Sequence, residues 1–160
     1  GIGICLDTMN LLTMLEDPVE ATERLAPWVV STHIKDGGFA MGPNGLLSYP
    51  AALGQGKIDL MKIIAILERN NSALNLNVED HNGSFSLPFD QDNFLSLFPD
   101  LTKETLEWVL QCSKVTPSEL NELKENYMDR EKWPSVCENR MKEGLLALKE
   151  MYIKKNAQQI

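Results

Sequence analysis

Near its amino end the chain reads Ile2-Gly3-Ile4-Cys5-Leu6-Asp7, a short apolar run that closes on a carboxylate. Two later runs have the same form: residues 29–35 read Val-Val-Ser-Thr-His-Ile-Lys, and residues 74–79 read Leu-Asn-Leu-Asn-Val-Glu. Apolar runs of this length with β-branched residues predict buried strands. Each predicted strand therefore carries a residue type that can bind a metal at or near its carboxyl end.

Side-chain alternation places the three candidate ligands on one face of the predicted sheet, because successive side chains of a strand point to opposite faces. Asp7, His33 and Glu79 share their faces with small or polar residues, whereas the opposite faces are mostly apolar. If helices cover the apolar faces, the three side chains line the mouth of one shared space. Two carboxylates and an imidazole form a hard oxygen and nitrogen ligand set that suits one divalent ion such as Mn, Mg, Co or Zn.

Helical patterns separate the apolar runs and indicate a parallel α/β fold. Asp17-Pro18 predicts a helix start, with Asp as N-cap and Pro at the first helical position, and Asp59 is expected to cap a helix over residues 60–69. The order βαβαβ implies parallel strands with right-handed crossovers. Residues 37–57 are rich in Gly and Pro and are predicted to form a long functional loop.

The carboxyl-terminal part is predicted to be helical. We expect helices at residues 102–113, 117–127 and 134–155, packed outside the sheet. The domain prediction is therefore a βα region with the metal and substrate site over residues 1–100, followed by a helical extension over residues 101–160 that packs on it.

The composition is that of an ordinary soluble domain and argues against nucleic acid binding. The chain has 160 residues, a formal net charge of −8 and 43% hydrophobic residues, whereas nucleic acid sites normally show a basic patch. Cys5, Cys112 and Cys137 lack metal-type spacing, and no signal peptide or membrane-spanning run is evident. We therefore expect reduced thiols, a cytoplasmic location and no membrane partner.

Each candidate ligand taken alone is more often structural than functional. What favours a site is that Asp7, His33 and Glu79 all fall on the carboxyl edge and the inward face, and in parallel α/β folds this edge binds ligands. The joint position, and not any single residue, carries the metal-site prediction.

Three further residues are candidates for substrate binding. Lys35 could hold a substrate oxyanion or phosphate, or it could simply pair with Asp36 or Glu79. Asn10 could contact substrate or orient the nearby Asp, although a plain Asx-turn is equally compatible. His81 would be a reserve ligand or substrate contact if the third strand continued, but Asp80-His81-Asn82-Gly83 is more typical of a turn.

Four motifs in sequence order carry a family resemblance: Leu6-Asp7-Thr8-Met9-Asn10, His33-Ile34-Lys35-Asp36, Leu53-Gly54-Gln55-Gly56-Lys57-Ile58-Asp59 and Asn77-Val78-Glu79. The chain resembles the sugar phosphate isomerase/epimerase family, the xylose-isomerase-like TIM barrels, over its first part. This implies the carboxyl-terminal portion of a (β/α)₈ barrel, with about three parallel βα units and then helices. It also implies that Asp7, His33 and Glu79 match the last three of the family's four metal ligands.

The resemblance further implies an isomerase or epimerase of carbohydrate metabolism that works through a metal-stabilised cis-enediolate, with Glu79 in proton transfer. The family's first ligand is a Glu on the preceding strand, which this chain does not contain. A metal-dependent dehydratase, which would use the same metal site, stays open as an alternative. So does a non-catalytic fragment or binding scaffold, which the missing ligand favours. The endonuclease branch of the superfamily normally has a His where Asn10 stands, which counts against a DNA-repair nuclease.

The expected partners follow from this function and from the open sheet. The substrate would be a small sugar or sugar phosphate. Three parallel strands with open inner edges would expose backbone groups and apolar surface. We therefore expect a second copy of the chain, or the amino-terminal half of a barrel, to cover them.

Overall fold

The computed structural model describes residues 1–80, 84, 86–89, 91, 93–113, 115, 121 and 130–157. This part of the chain is mixed α/β, with a two-stranded parallel sheet and a separate three-stranded antiparallel sheet. The strands are β1 (Ile4–Asp7), β2 (Val29–His33), β3 (Asp36–Gly42), β4 (Gly45–Ala51) and β5 (Ser86–Leu87). The helices are α1 (Thr8–Thr13), α2 (Pro18–Leu25), α3 (Leu60–Asn70), α4 (Lys103–Cys112) and α5 (Trp133–Ala157).

The first two predicted strands pair in parallel, as expected, and their register sets Asp7 opposite His33. A bulge interrupts the register between Ile4 and Cys5, so that Val30 is an extra residue on β2. Val30 is consequently 67% exposed and does not lie on the buried face where simple alternation puts it. The register recovers before the strand ends, which keeps the two candidate ligands side by side.

The third predicted strand is much shorter than expected. Within the described residues, the run 74–79 joins β2 only through an isolated parallel bridge between Ile34 and Val78. At the preceding residue, the Asn77 N–H donates to Thr32 Oγ1 at 2.9 Å. A side-chain hydroxyl thus takes the place of a backbone carbonyl in the ladder, and this substitution explains why the regular pairing stops.

The prediction of a long loop over residues 37–57 is wrong, because β3 and β4 form an antiparallel hairpin there. The strands turn at Pro43-Asn44, and Gly45 follows with φ +98°, a backbone conformation that favours glycine. A Cβ on Gly45 would overlap the carbonyl oxygen of Leu87 on β5. An irregular loop remains only between the end of β4 and the start of α3.

The predicted helix starts are confirmed by their caps. The Asp17 side chain accepts from two N–H groups of the first turn of α2, Asp59 accepts from the Lys62 N–H in α3, and Thr102 accepts from the Thr105 N–H in α4. The helix predicted at 117–127 lies outside the described residues except for position 121. In the described part of the chain, no helix combines the length and the apolar character needed to cross a membrane.

One hydrophobic core joins both sheets to the helices. Its fully buried side chains include Leu6 on β1, Phe39 on β3, Ile63 on α3 and Val109 on α4. Cys5, on the opposite face of β1, is exposed. The core therefore covers one face of the parallel pair and leaves the face that bears the candidate ligands accessible.

Helix α5 lies against the loop that follows β4. A Cβ on Gly144 would come within 3.0 Å of the Leu53 nitrogen, and one on Gly54 would come within 3.0 Å of the Met151 methyl group. Farther along α5, the Tyr152 hydroxyl donates to Glu68 Oε1 on α3 at 2.8 Å. Burial and the adjacent carboxylate both raise the pKa of Tyr152, which keeps this donor protonated. The helix is therefore fixed to both the loop and α3.

Candidate metal and substrate site

The structure brings Asp7, His33 and Glu79 together. One potential ligand atom from each of the three lies within 4.8 Å of the others. His33 Nδ1 is 2.7 Å from Glu79 Oε2 and 3.9 Å from Asp7 Oδ2. The Asp7 side chain is only 10% exposed, whereas those of Glu79 and His33 are 41% and 45% exposed. The cluster is thus anchored on the Asp7 side and open to solvent on the other.

The two oxygens of Asp7 have separate tasks. Oδ1 accepts hydrogen bonds from the backbone N–H groups of Met9 and Asn10, both at 3.0 Å, and so caps α1. Oδ2 faces His33 and Lys35. The cap fixes the carboxylate in one orientation because it ties the side chain to the first turn of the helix. Asn10 contributes its backbone N–H to this cap and also lines the adjacent cavity.

Lys35 bridges the two carboxylates of the cluster. Its Nζ lies 2.9 Å from Asp7 Oδ2 and 3.0 Å from Glu79 Oε2, and the side chain is 10% exposed. Of the two expected pairings, the one with Glu79 is present, and the second partner is Asp7 and not Asp36. Burial lowers the pKa of Lys35, but hydrogen bonds and charge from the two carboxylates outweigh it, so the pKa is raised overall. A permanent positive charge therefore sits beside the candidate ligands.

Thr8 is a site residue that the sequence reasoning missed. Its hydroxyl donates to the carbonyl oxygen of Lys35 at 2.6 Å and accepts from the Lys35 N–H at 2.9 Å, and all these groups are buried. The side chain thereby joins the start of α1 to the end of β2. No local sequence signal marks this contact, because the two residues are 27 positions apart.

Thr8→Val should lower the free energy of unfolding by about 2–3 kcal/mol, because a buried N–H and a buried C=O each lose their partner while the shape is kept. Urea unfolding monitored by circular dichroism measures the loss. Thr13→Val is the matched control, since its hydroxyl makes one exposed bond to the Asn10 carbonyl. Equal effects of the two variants would contradict the structural role given to Thr8.

Asp36 organises the loop beside the cluster. Its carboxylate is almost fully buried and accepts four backbone N–H groups, from Gly37, Gly54, Gly56 and Ile58, at 2.8–3.3 Å. Burial raises the pKa of this carboxyl, and the four donors act in the opposite direction. A Cβ on Gly56 would overlap Asp36 Oδ1, so the close approach requires glycine there.

A cavity of about 200 Å³ adjoins the cluster. Its charged lining residues are Lys35, Asp36, Glu79, Asp80 and Arg140, while Met9, Pro50, Leu53, Val78 and Met141 supply apolar surface. Arg140 comes from α5 and binds Asp80 through two hydrogen bonds, Nε to Oδ2 at 2.8 Å and Nη2 to Oδ1 at 2.7 Å. The last described helix therefore forms one wall of the cavity. His81, the reserve candidate, lies outside the described residues.

The donor set fits a divalent cation. Asp7 Oδ2 and Glu79 Oε2 are hard oxygen donors held near each other, and the His33 imidazole adds a nitrogen. Lys35 compensates part of the negative charge of the two carboxylates, and it does so through the same two oxygens that an ion would bind. The site could therefore hold one ion with three protein ligands, which leaves positions for substrate or further ligands.

Comparisons with known proteins give one partial similarity. No protein-family model matches the chain, and no solved structure matches it. The chain is 38% identical over 81 residues to 3-oxo-isoapionate decarboxylase of Pectobacterium atrosepticum, and this match covers 49% of the chain. It spans only 30% of the relative's length. The relative is named as a decarboxylase, so the similarity does not single out an isomerase or epimerase.

Proposed function

We propose that this chain carries the metal and proton-transfer site of a sugar or sugar phosphate isomerase/epimerase. The observation that carries the proposal is the cluster of Asp7, His33 and Glu79 around Lys35, at the ends of neighbouring parallel segments. The four motifs that resemble the xylose-isomerase-like TIM barrels supply these same residues. We further infer that β1 and β2 belong to such a barrel, whose remaining strands, or a second copy, would cover the exposed face that bears Cys5.

Asp7, His33 and Glu79 would hold the metal ion. Bound there, a divalent cation acts as a Lewis acid that polarises a substrate carbonyl and stabilises negative charge that develops on its oxygen. Glu79 has the exposure and position to take a proton from the carbon beside that carbonyl and to return it, since it lies on the cavity wall. Lys35 would donate a hydrogen bond to an anionic oxygen of the substrate from the same wall.

Decarboxylation of a small 3-oxo acid is a second candidate function, favoured by the identity to 3-oxo-isoapionate decarboxylase. Loss of carbon dioxide from such an acid leaves an enolate, which needs the same stabilisation by positive charge. Lys35 is well placed to supply it. The two reactions differ in their first step, because decarboxylation breaks a C–C bond and needs no base to remove a proton from carbon.

Mn²⁺ binding tests the site itself. Titration followed by electron paramagnetic resonance should give about one Mn²⁺ per chain at micromolar concentration. Asp7→Asn should weaken binding by about 10-fold or more, while the cap of α1 survives because Asn is also a good N-cap. Asp59→Asn, at the exposed cap of α3, is the matched control and should bind as wild type does. Absence of binding, or equal affinity in Asp7→Asn, would contradict the metal site.

A further inference from the structure

We propose that Arg140 is a positioning residue for Glu79, which it holds in place through Asp80. Helix α5, which carries Arg140, would thereby contribute to the geometry of the site. The effect on metal binding rests on the function proposed above. Arg140 does not pair with Asp7, His33 or Glu79 in the described ion pairs. Its influence would pass through the carboxylate of Asp80 and the peptide link from Asp80 to Glu79.

Within the described residues, the segment that carries Glu79 has one backbone bridge to β2, in which the Ile34 N–H donates to the Asn77 carbonyl at 2.7 Å and the Glu79 N–H donates to the Ile34 carbonyl at 3.3 Å. Before that bridge, the contact to β2 passes through the Thr32 side chain, which accepts from the Asn77 N–H. Asp7 and His33, in contrast, lie in a paired parallel ladder. Of the three candidate ligands, Glu79 therefore depends most on contacts from outside the sheet.

The Arg140–Asp80 pair has the geometry of a strong tether. Both side chains are about nine-tenths buried, at 10% and 11% exposed, and they meet through two parallel N–H···O bonds. A planar guanidinium that engages both oxygens of a carboxylate fixes its orientation as well as its position. Because Asp80 follows Glu79 directly, fixing Asp80 limits where the Glu79 backbone can move.

The helix that carries Arg140 is itself held against the loop that follows β4. Gly144 packs closely on Leu53, and Met151 packs on Gly54. Gly54 in turn donates its N–H to Asp36, the residue next to Lys35. The contacts thus link the end of β2 through the loop and α5 to Asp80, and the Glu79 N–H returns to β2 through its bond to the Ile34 carbonyl. Without the bonds from Arg140, Asp80 would lose its connection to α5, and the adjacent Glu79 would be less restrained.

The test compares Arg140→Gln with Lys142→Gln in the same helix. Lys142 forms an exposed pair with Glu138 and is 65% exposed, so it controls for loss of a charge from α5. Mn²⁺ affinity should fall by about 10-fold or more in Arg140→Gln and stay unchanged in Lys142→Gln. Arg140→Lys should recover only part of the loss, because an ammonium cannot engage both oxygens of Asp80.

A second readout uses the metal-free protein. The ring ¹H–¹⁵N resonances of His33, assigned with His33→Gln, report on its 2.7 Å contact with Glu79. They should shift in Arg140→Gln and in Asp80→Asn, and the double variant should be no worse than either single one. Wild-type affinity together with unchanged His33 resonances in Arg140→Gln would overturn the proposal, as would additive effects of the two substitutions. If wild type binds no Mn²⁺, the metal function fails, while the His33 resonances still decide the positioning role.

Discussion

Replacing Glu79 by Gln is expected to lower turnover by about 10²–10⁴-fold, the range that a positioned general acid or base contributes. The amide keeps the size and one oxygen donor of the side chain, so part of the metal binding should survive, but it cannot accept the substrate proton. Turnover of a panel of ketoses and ketose phosphates, and hydrogen exchange at carbon in D₂O followed by NMR, measure the loss. A Glu79→Gln protein with full activity would remove Glu79 from the mechanism.

Glu104→Gln is the control for this substitution, because Glu104 lies in the first turn of α4 and does not line the cavity. The same variant also separates the proposed reactions. If Glu79→Gln stops hydrogen exchange but still releases carbon dioxide from a 3-oxo acid, the decarboxylase candidate is favoured. A conjugated, ultraviolet-absorbing product from wild type would instead favour the dehydratase.

Replacing Asp36 by Asn is expected to lower the free energy of unfolding by about 2–4 kcal/mol. The carboxylate accepts two N–H groups on each oxygen, and an amide offers only one oxygen, so the NH₂ group would face two buried donors. Each buried donor that loses its partner costs about 1–3 kcal/mol. Urea unfolding provides the measurement, and loss of Mn²⁺ affinity in the same variant would show that the loop supports the neighbouring cluster.

Asp17→Asn is the matched control for Asp36→Asn. Asp17 also accepts two backbone N–H groups, but both bind the same oxygen at an N-cap. Asn performs that task nearly as well as Asp, so the free energy of unfolding should change little. If both variants unfold at the wild-type urea concentration, the four-donor arrangement of Asp36 contributes no measurable stability.

Local signals predicted the helix starts, and simple alternation predicted the first part of the site. Asp17-Pro18 and Asp59 lie at the first turns that they cap, so each signal and its effect are within a few residues. The parallel pairing of β1 and β2 follows from the βαβ order. The proximity of Asp7 to His33 then needs only that both strands end at the same edge of the sheet.

The hairpin was missed although a signal for it exists. Asn44-Gly45 is a strong turn signal, and apolar residues such as Phe39 and Leu46 flank it on both sides. The same segment is rich in glycine, which is also typical of an irregular loop. The length predicted for the third strand was wrong for a different reason. The Asn77 N–H donates to the Thr32 hydroxyl and not to a backbone carbonyl, and only the folded structure shows which acceptor it uses.

The contacts made by Thr8, Asp36 and Arg140 had no counterpart in the sequence reasoning. Arg140 and Asp80 are 60 positions apart, and Arg140 lies in a helix whose apolar residues show no clear segregation to one face. Pairing of this kind is set by how the helix packs on the loop after β4, which depends on close approaches such as Gly144 to Leu53. A single sequence does not encode such distances in any local pattern.

The placement of Arg140 in α5 has a consequence for how the protein is made. A ribosome adds residues from the amino end, and early segments can begin to fold while later ones are still being synthesised. The pair β1 and β2, with Asp7 and His33, emerges long before residue 140. The wall that Arg140 supplies can form only after α5 has left the exit tunnel, so the nascent chain exposes the ligand cluster from the time Glu79 emerges until then.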